Sequence, residues 1–192
     1  MMIKIGIFGD IGSGKSFIAK QFGFPVFNAD REVNKIYKYN KNCFKSLKNQ
    51  LPKYIFSFPI KKNEICKAIL DKQKNLKKIV KIVHPFVRDG MNCFLNKNKN
   101  KKFLVLDIPL LLENKLNKKK YILIFVSAKK KEIQKRLKKR SNYNPKILNK
   151  LRKLQLPLEF KKKKSNFIIR NNFKMISVRK SVKVLKSKIL NI

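Results

Sequence analysis

Apolar residues along this chain fall into short runs and helical stripes, with glycine, proline and asparagine marking the joins. Residues 3–8 (IKIGIF) form a run of the buried-strand kind, and residues 17–22 continue as a helix after a glycine-rich interruption. A second short strand is expected over 25–28. Across 31–50, Val33, Ile36, Tyr37 and Phe44 make a discontinuous helical stripe. Residues 51–58, with Pro52 and Pro59 as punctuation, read as loop. Ile65, Ile69, Leu76, Ile79, Val80 and Val83 then recur at helical spacing. His84-Pro85 is expected to interrupt that helix, because proline lacks the N–H donor and disfavours helix in the residue before it. A further helix over 86–95 and a polar loop over 96–102 follow.

The second half repeats the alternation. Residues 103–107 (FLVLD) read as a buried strand ending in the carboxylate of Asp107, and residues 108–114 lead away from the sheet. Residues 121–126 are a fourth strand, with Ser127 expected to cap a helix over 129–139. Asn144-Pro145 opens another helix in the favoured cap-then-proline order, running to about 156. Lys161 to Lys164 read as a solvated charge run. A fifth strand over 167–169 and an amphipathic helix over 173–190 close the chain. Alternating strands and helices without internal repeats predict an α/β fold with a parallel sheet between helical layers.

Chemistry enters at the first strand–helix junction. Gly9-Asp10-Ile11-Gly12-Ser13-Gly14-Lys15-Ser16 fits G-x-x-x-x-G-K-S/T, and the strand before it and helix after it are the setting that motif requires. Glycines let the backbone approach a phosphate closely, and successive amides plus the positive helix end cradle the anion. Lys15 is placed for the β- and γ-phosphates and the Ser16 hydroxyl for Mg²⁺. The expected ligand is a nucleoside triphosphate. Asp30 follows the second strand at the sheet edge where open α/β folds bind ligands, and an ordinary helix cap is its other reading. Asp107 occupies the usual place of a group that orients a metal-bound water or a nucleophile. His84, the single histidine, sits at the expected helix break, where a structural role competes with a chemical one.

Composition changes the picture in one respect. Fifty Lys and Arg face ten Asp and Glu, a formal net charge of +40, which ordinarily suggests nucleic acid or an anionic surface. Only seven of the fifty are Arg, the residue suited to bidentate contacts, and the lysines are spread along the whole chain. With no Trp and no Thr but abundant Lys, Asn, Ile and Phe, the bias looks like drift under AT-rich codons. Non-specific nucleic-acid adhesion at low salt is expected, and a basic nucleic-acid-binding ATPase is the alternative function. No aromatic–basic interleaving of the base-stacking type supports it. No run of about 18 apolar residues predicts a transmembrane helix, and the first residues lack a signal-peptide pattern. Three cysteines without C-x-x-C spacing read as reduced thiols, hence a cytoplasmic protein, expected to be monomeric.

Several spaced motifs together resemble the dephospho-CoA kinase family. They are residues 5–16 (IGIFGDIGSGKS), 26–30 (VFNAD), 83–87 (VHPFV), 107–113 (DIPLLLE), 134–140 (QKRLKKR), Gln155 and 169–171 (IRN), nearly the whole length. The resemblance implies a three-layer P-loop kinase fold with five parallel strands in the order 2-3-1-4-5. The sheet core would comprise 1–30, 103–128 and 165–192, with a helical CoA-side region over about 31–100 and a lid and ATP-side region over about 129–160. It implies transfer of the ATP γ-phosphate to the ribose 3′-hydroxyl of dephospho-CoA, with Mg²⁺; the expected partner is that small-molecule substrate, with no specific nucleic acid and no membrane. Asp30 matches the family's catalytic aspartate; Lys15 and a lid arginine, Arg140 before Arg136, would neutralise charge. Ile11, Gly12, Ser13, Gly14, Ser16 and Asn171 would join them around ATP, Asn171 near the adenine. His84, Arg88 and Asp107 would face the acceptor together with Asp30. The chain departs from the family pattern at Asp10, at Ser165-Asn166 and at Arg170.

Overall fold

The computed structural model describes residues 2–113, 121–141 and 143–191. Five parallel strands form one sheet, β1 (Ile3–Gly9), β2 (Val26–Asn28), β3 (Phe103–Asp107), β4 (Tyr121–Ser127) and β5 (Phe167–Arg170), in the spatial order β2-β3-β1-β4-β5. That is the order the family resemblance implies. Register is fixed by the central strand: Ile5 stands beside Val105 and Ile122, and Ile7 beside Asp107 and Ile124. β1 and β3 are buried over almost their whole length, as strands covered by helices on both faces must be.

The chain divides into two compact units. The first comprises Met1–Asn28, Asn98–Tyr143 and Gln155–Ile192 and contains the sheet. Its helices are α1 (Lys15–Gln21), α6 (Lys130–Lys138), α8 (Leu158–Lys163) and α9 (Met175–Leu190). Ile5, Ile7, Ile18, Phe22, Val105 and Val178 belong to one buried cluster that joins sheet, α1 and α9. Asn166, at one of the departures from the family pattern, ties the edge strand down: its N–H donates to the Leu123 carbonyl and its Oδ1 accepts from the Leu123 N–H, both at 2.8 Å. An aspartate could make the second bond equally well, so this replacement keeps the contact.

The second unit, Ala29–Lys97 and Asn144–Leu154, is all helical: α2 (Ala29–Tyr39), α3 (Lys41–Gln50), α4 (Lys62–Asp71), α5 (Gln73–Lys97) and α7 (Pro145–Arg152). Its core, with Ile36, Leu47, Ile55, Ile69, Leu76 and Val83, receives Ile147 and Leu151 from α7. Buried Glu64 anchors the loop before α4, its carboxylate accepting from the N–H groups of Phe56 (3.1 Å) and Ser57 (3.4 Å) and from the Ser57 hydroxyl.

Five readings differ from the sequence expectation. The helix expected over 31–50 is two helices, because the Asn40 side chain accepts from the Cys43 N–H at 2.8 Å and starts α3 afresh. The break expected at His84-Pro85 lies instead at Lys72, and α5 runs straight through Pro85. Carbonyls at the end of α4 find partners outside their own helix: Asn75 Nδ2 donates to Ala68 O at 2.9 Å, and Lys150 Nζ donates to Ile69 O (2.6 Å) and Leu70 O (2.9 Å). Lys81 and Pro85 are both exposed, so the carbonyl deprived of its donor is on the wet side of α5. Ser127 does not cap α6; it ends β4, and the capping position is Lys129 without a side-chain bond. The helix expected to reach 156 stops at Arg152, and residues expected to be a charge run form α8. Asn114, at the end of the expected 108–114 exit segment, lies outside the described residues.

The three thiols are free and differ in setting. Burial pushes the Cys43 thiol up to about 11, whereas Cys93 is exposed. At pH 8 roughly one Cys43 in a thousand is then thiolate. Thiol titration at that pH should label Cys93 within seconds to minutes and leave Cys43 unreacted until denaturant is added; rapid labelling of Cys43 in native protein would contradict this packing.

Candidate active site

The turn from β1 into α1 is built for close backbone approach. A side chain on Gly9 (φ 152°) would overlap the Val126 carbonyl of the neighbouring strand, and one on Gly14 (φ 90°) would overlap the Asn171 amide. Gly14 is also the N-terminal capping position of α1, so the loop ends on that helix's positive pole. Lys15 is 8% exposed and its Nζ donates back to the carbonyls of Asp10 (2.8 Å) and Gly9 (3.4 Å). The cation is thereby arched over the loop. Asp10 turns its carboxylate onto the loop's own backbone, Oδ1 accepting from the Ile11 N–H at 2.7 Å. The Ser13 hydroxyl is fully buried, and its oxygen has no hydrogen-bond partner.

Three polar side chains meet beside this loop. Asn28, the last residue of β2, donates through Nδ2 to Ser16 Oγ at 3.2 Å and also to Asp107 Oδ2. Asp107 is the last residue of β3 and is 2% exposed. Because the strands are parallel and in register, Asn28 and Asp107 face each other across one ladder step. Sequence reasoning singled out Ser16 and Asp107 as site residues, whereas Asn28 entered only as part of the 26–30 family motif, with no role of its own. A hydroxyl and a carboxylate held together by an amide form an all-oxygen donor set.

On the loop's other side stands the turn after β5. Asn171 is buried, with Nδ2 donating to the Ser13 carbonyl and Oδ1 accepting from the Phe173 N–H, both at 2.8 Å. Phe173 has φ 60°, a left-handed backbone that costs an aromatic residue about 1–2 kcal/mol. The Arg136 guanidinium lies 4.6 Å from the centre of the Phe173 ring. Arg136 is exposed on α6, and Arg140, also exposed, follows the end of that helix.

The remaining candidates belong to the helical unit. Asp30 is the second residue of α2, inside the first turn rather than at the capping position, and it is exposed. Its carboxylate there complements the helix dipole, so the simple capping reading does not apply. His84 and Arg88 are four residues apart on α5, hence on one face, half-buried and exposed respectively.

A family model described as dephospho-CoA kinase matches residues 3–176. A dephospho-CoA kinase from the Wolbachia of Brugia malayi is 36% identical over 170 residues, covering 86% of this chain and 87% of its own. One from Bartonella henselae is 30% identical over 97% of this chain and 98% of its own. The chain belongs to the dephospho-CoA kinase family. A crystal structure from Thermus thermophilus superposes on this kinase with a TM-score of 0.78 at 26% identity, covering 97% of both chains. The dephospho-CoA kinase of Campylobacter jejuni (TM-score 0.63, 22% identity, 98% of both chains) shares its fold.

One residue of this kinase was misread from sequence. Lys161, taken as part of a solvated run, is 0% exposed. Its Nζ pairs with Glu113 Oε1 at 2.7 Å and donates to the Pro109 carbonyl at 3.2 Å. Glu113 Oε1 also accepts from the Leu156 N–H at 2.9 Å, while its Oε2 is buried and unpartnered. The pair therefore fastens α8 to the segment that leaves β3 after Asp107. Removing one partner strands a buried charge, which costs about 3–5 kcal/mol. Lys161→Ala should lower unfolding free energy by that amount in urea titration, and Lys161→Met with Glu113→Leu should recover most of it. A loss below about 1 kcal/mol for the single variant would show the pair to be solvated.

Proposed function

We propose that this kinase moves the γ-phosphate of ATP onto the ribose 3′-hydroxyl of dephospho-CoA, the last step of coenzyme A synthesis, with Asp30 as the base. The observation that carries the reading is the family match across residues 3–176. The basic nucleic-acid-binding ATPase is not favoured by it, and the lysines are spread along the whole sequence rather than gathered in one segment.

In this reading the Ile11–Ser16 loop and the Lys15 ammonium hold the triphosphate, the Ile11 N–H exchanging Asp10 Oδ1 for a phosphate oxygen, and Arg140 and Arg136 answer the charge that develops on the transferred group. Asp30 accepts a hydrogen bond from the 3′-hydroxyl and aims its oxygen at phosphorus. The new O–P bond forms as the bond to the β-phosphate oxygen breaks; the hydroxyl proton passes late to Asp30 and ADP leaves. His84 and Arg88 would hold the acceptor. Asp107 would sit at the edge shared by acceptor and phosphates.

The Ser16 hydroxyl and the Asp107 carboxylate, bridged by the Asn28 amide N–H groups, fit Mg²⁺ in donor chemistry, since hard cations take oxygen ligands. Among the described residues no group of three or more His, Cys, Asp or Glu could hold a metal alone. An ion that arrives with the triphosphate suits such a sparse set, and when bound it would offset the phosphate charge. Among the described residues no helix is long and apolar enough to cross a membrane. We place the enzyme in the cytoplasm as a monomer, a setting in keeping with three unpaired thiols.

Steady-state assays with ATP, Mg²⁺ and dephospho-CoA test the assignment. Asp30→Asn should lower kcat by about 10²–10⁴-fold with little change in ATP affinity. Near-parental kcat in that variant would remove Asp30 from the chemistry. Lys15→Ala should weaken ATP binding and turnover together.

A further inference from the structure

The sheet is open on one side at β5. This strand pairs with β4, and among the described residues nothing pairs with its other edge. Asn166 turns its N–H to β4, so strand alternation turns the N–H and C=O groups of Phe167 and Ile169 outward. Free backbone groups on an edge are a template for a further strand, and such edges are ordinarily covered or blunted. Here the edge lies in a groove of about 950 Å³ that it shares with α9 and with Lys162 of α8. Apolar side chains line it from two elements, Ile168 of β5 at 46% exposed and Val184 of α9 at 53%. Of the eleven large apolar side chains exposed among the described residues, five fall between 168 and 190. Every charged residue among those described as lining the groove is basic: Lys162, Arg170, Lys180 and Lys188. Lys162 has an exposed partner in Glu159 at 3.7 Å, an ion pair of the weak surface kind.

We propose that this groove docks an extended acidic segment of a partner protein, which adds to the sheet as a sixth strand beside β5. Phe167 and Ile169 would supply the backbone pairing, and alternate side chains of the segment would meet two surroundings. Those turned to α9 would meet Val184 between Lys180 and Lys188; those on the other face would meet Ile168 and Arg170. Each surrounding pairs an apolar contact with cations, so the segment carries apolar and acidic residues on both faces. The 16 residues of α9 extend for about 24 Å, room for an extended segment of about seven residues. Charge and shape decide the occupant. A second copy of this chain, itself at +40, would bring cations against cations. A nucleic-acid strand would match the charge, but its bases need exposed aromatic faces. Phe167, packed against the sheet core, is the one aromatic among the described lining residues. No residue assigned to ATP or dephospho-CoA lines the groove, so docking and turnover are separable in this kinase.

Fluorescence anisotropy on the full chain at about 0.15 M salt tests the docking, with a labelled octapeptide that repeats two glutamates and two valines. That repeat puts both residue types on each face of a strand. The peptide should bind at least about tenfold more tightly than octaglutamate, which has the charge without the apolar groups. N-methylation at alternate residues, which removes the pairing N–H groups, should cost about tenfold or more. Lys180→Glu with Lys188→Glu should weaken the peptide by a similar factor, and Ile168→Ser with Val184→Ser by about fivefold. All four positions are exposed, and dephospho-CoA kinase turnover should stay parental in both variants. Equal affinity for octaglutamate, or for the methylated peptide, overturns the proposal, since charge alone would then explain binding. Parental affinity in both variants overturns it by placing the peptide elsewhere, and so does absence of binding up to about 1 mM peptide. An RNA octamer that binds more tightly than the peptide, and is lost with Lys180→Glu and Lys188→Glu, would make the groove a nucleic-acid site instead. A dimer in sedimentation that Ile168→Ser with Val184→Ser dissolves would assign it to a second copy, against the proposal.

Discussion

Close approach of backbone at the β1–α1 turn is the constraint on which the sheet unit depends. Three neighbours crowd that turn: the Val126 carbonyl of β4, the Asn171 amide of the turn after β5, and the Lys15 ammonium folding back from α1. Two of these contacts exist only because Gly9 and Gly14 carry no side chain. The same turn ends on the positive pole of α1, which is what an anion needs. Packing and function thus impose one demand on the same few residues. A substitution at either glycine would disturb strand spacing and phosphate binding together.

The polar groups around the turn form a short relay of fixed partners. Asn28 holds Ser16 and Asp107 in one cluster, and the register of β2 against β3 places the amide opposite the carboxylate. Further along the same exit segment, Glu113 and Lys161 fasten α8 into the core. In a chain with a formal charge of +40, most lysines meet water and contribute self-repulsion. Lys161 is an exception with a specific acid to meet, and Lys150 is another, closing the end of α4 through backbone carbonyls.

The strands and the phosphate loop were legible because their signals are local. An apolar run bounded by glycine, followed by G-K-S, needs no distant partner to be understood. Asp107 was legible for the same reason, as a carboxylate ending a buried run. What escaped depends on partners far along the chain. The α4–α5 break is capped in part by Lys150 and competes with the more obvious signal of Pro85. Lys161 sits among four successive lysines, and nothing in that run shows which one meets Glu113. Phe173 carried no signal either, since a left-handed aromatic is visible only once the Asn171 strap is seen. For Asp30 the chain alone left a helix cap and a ligand-edge position equally open, and only the family resemblance pointed to a base.

The account's central claim is that a triphosphate gripped at this turn gives up its γ-phosphate to a sugar hydroxyl. Phosphorus NMR of the reaction mixture tests it most directly, following ATP, Mg²⁺ and dephospho-CoA together. The account predicts one new 3′-phosphate monoester for each ADP formed, and no inorganic phosphate above background. ADP accompanied by inorganic phosphate, with dephospho-CoA unaltered and the rate raised by added RNA, would contradict it.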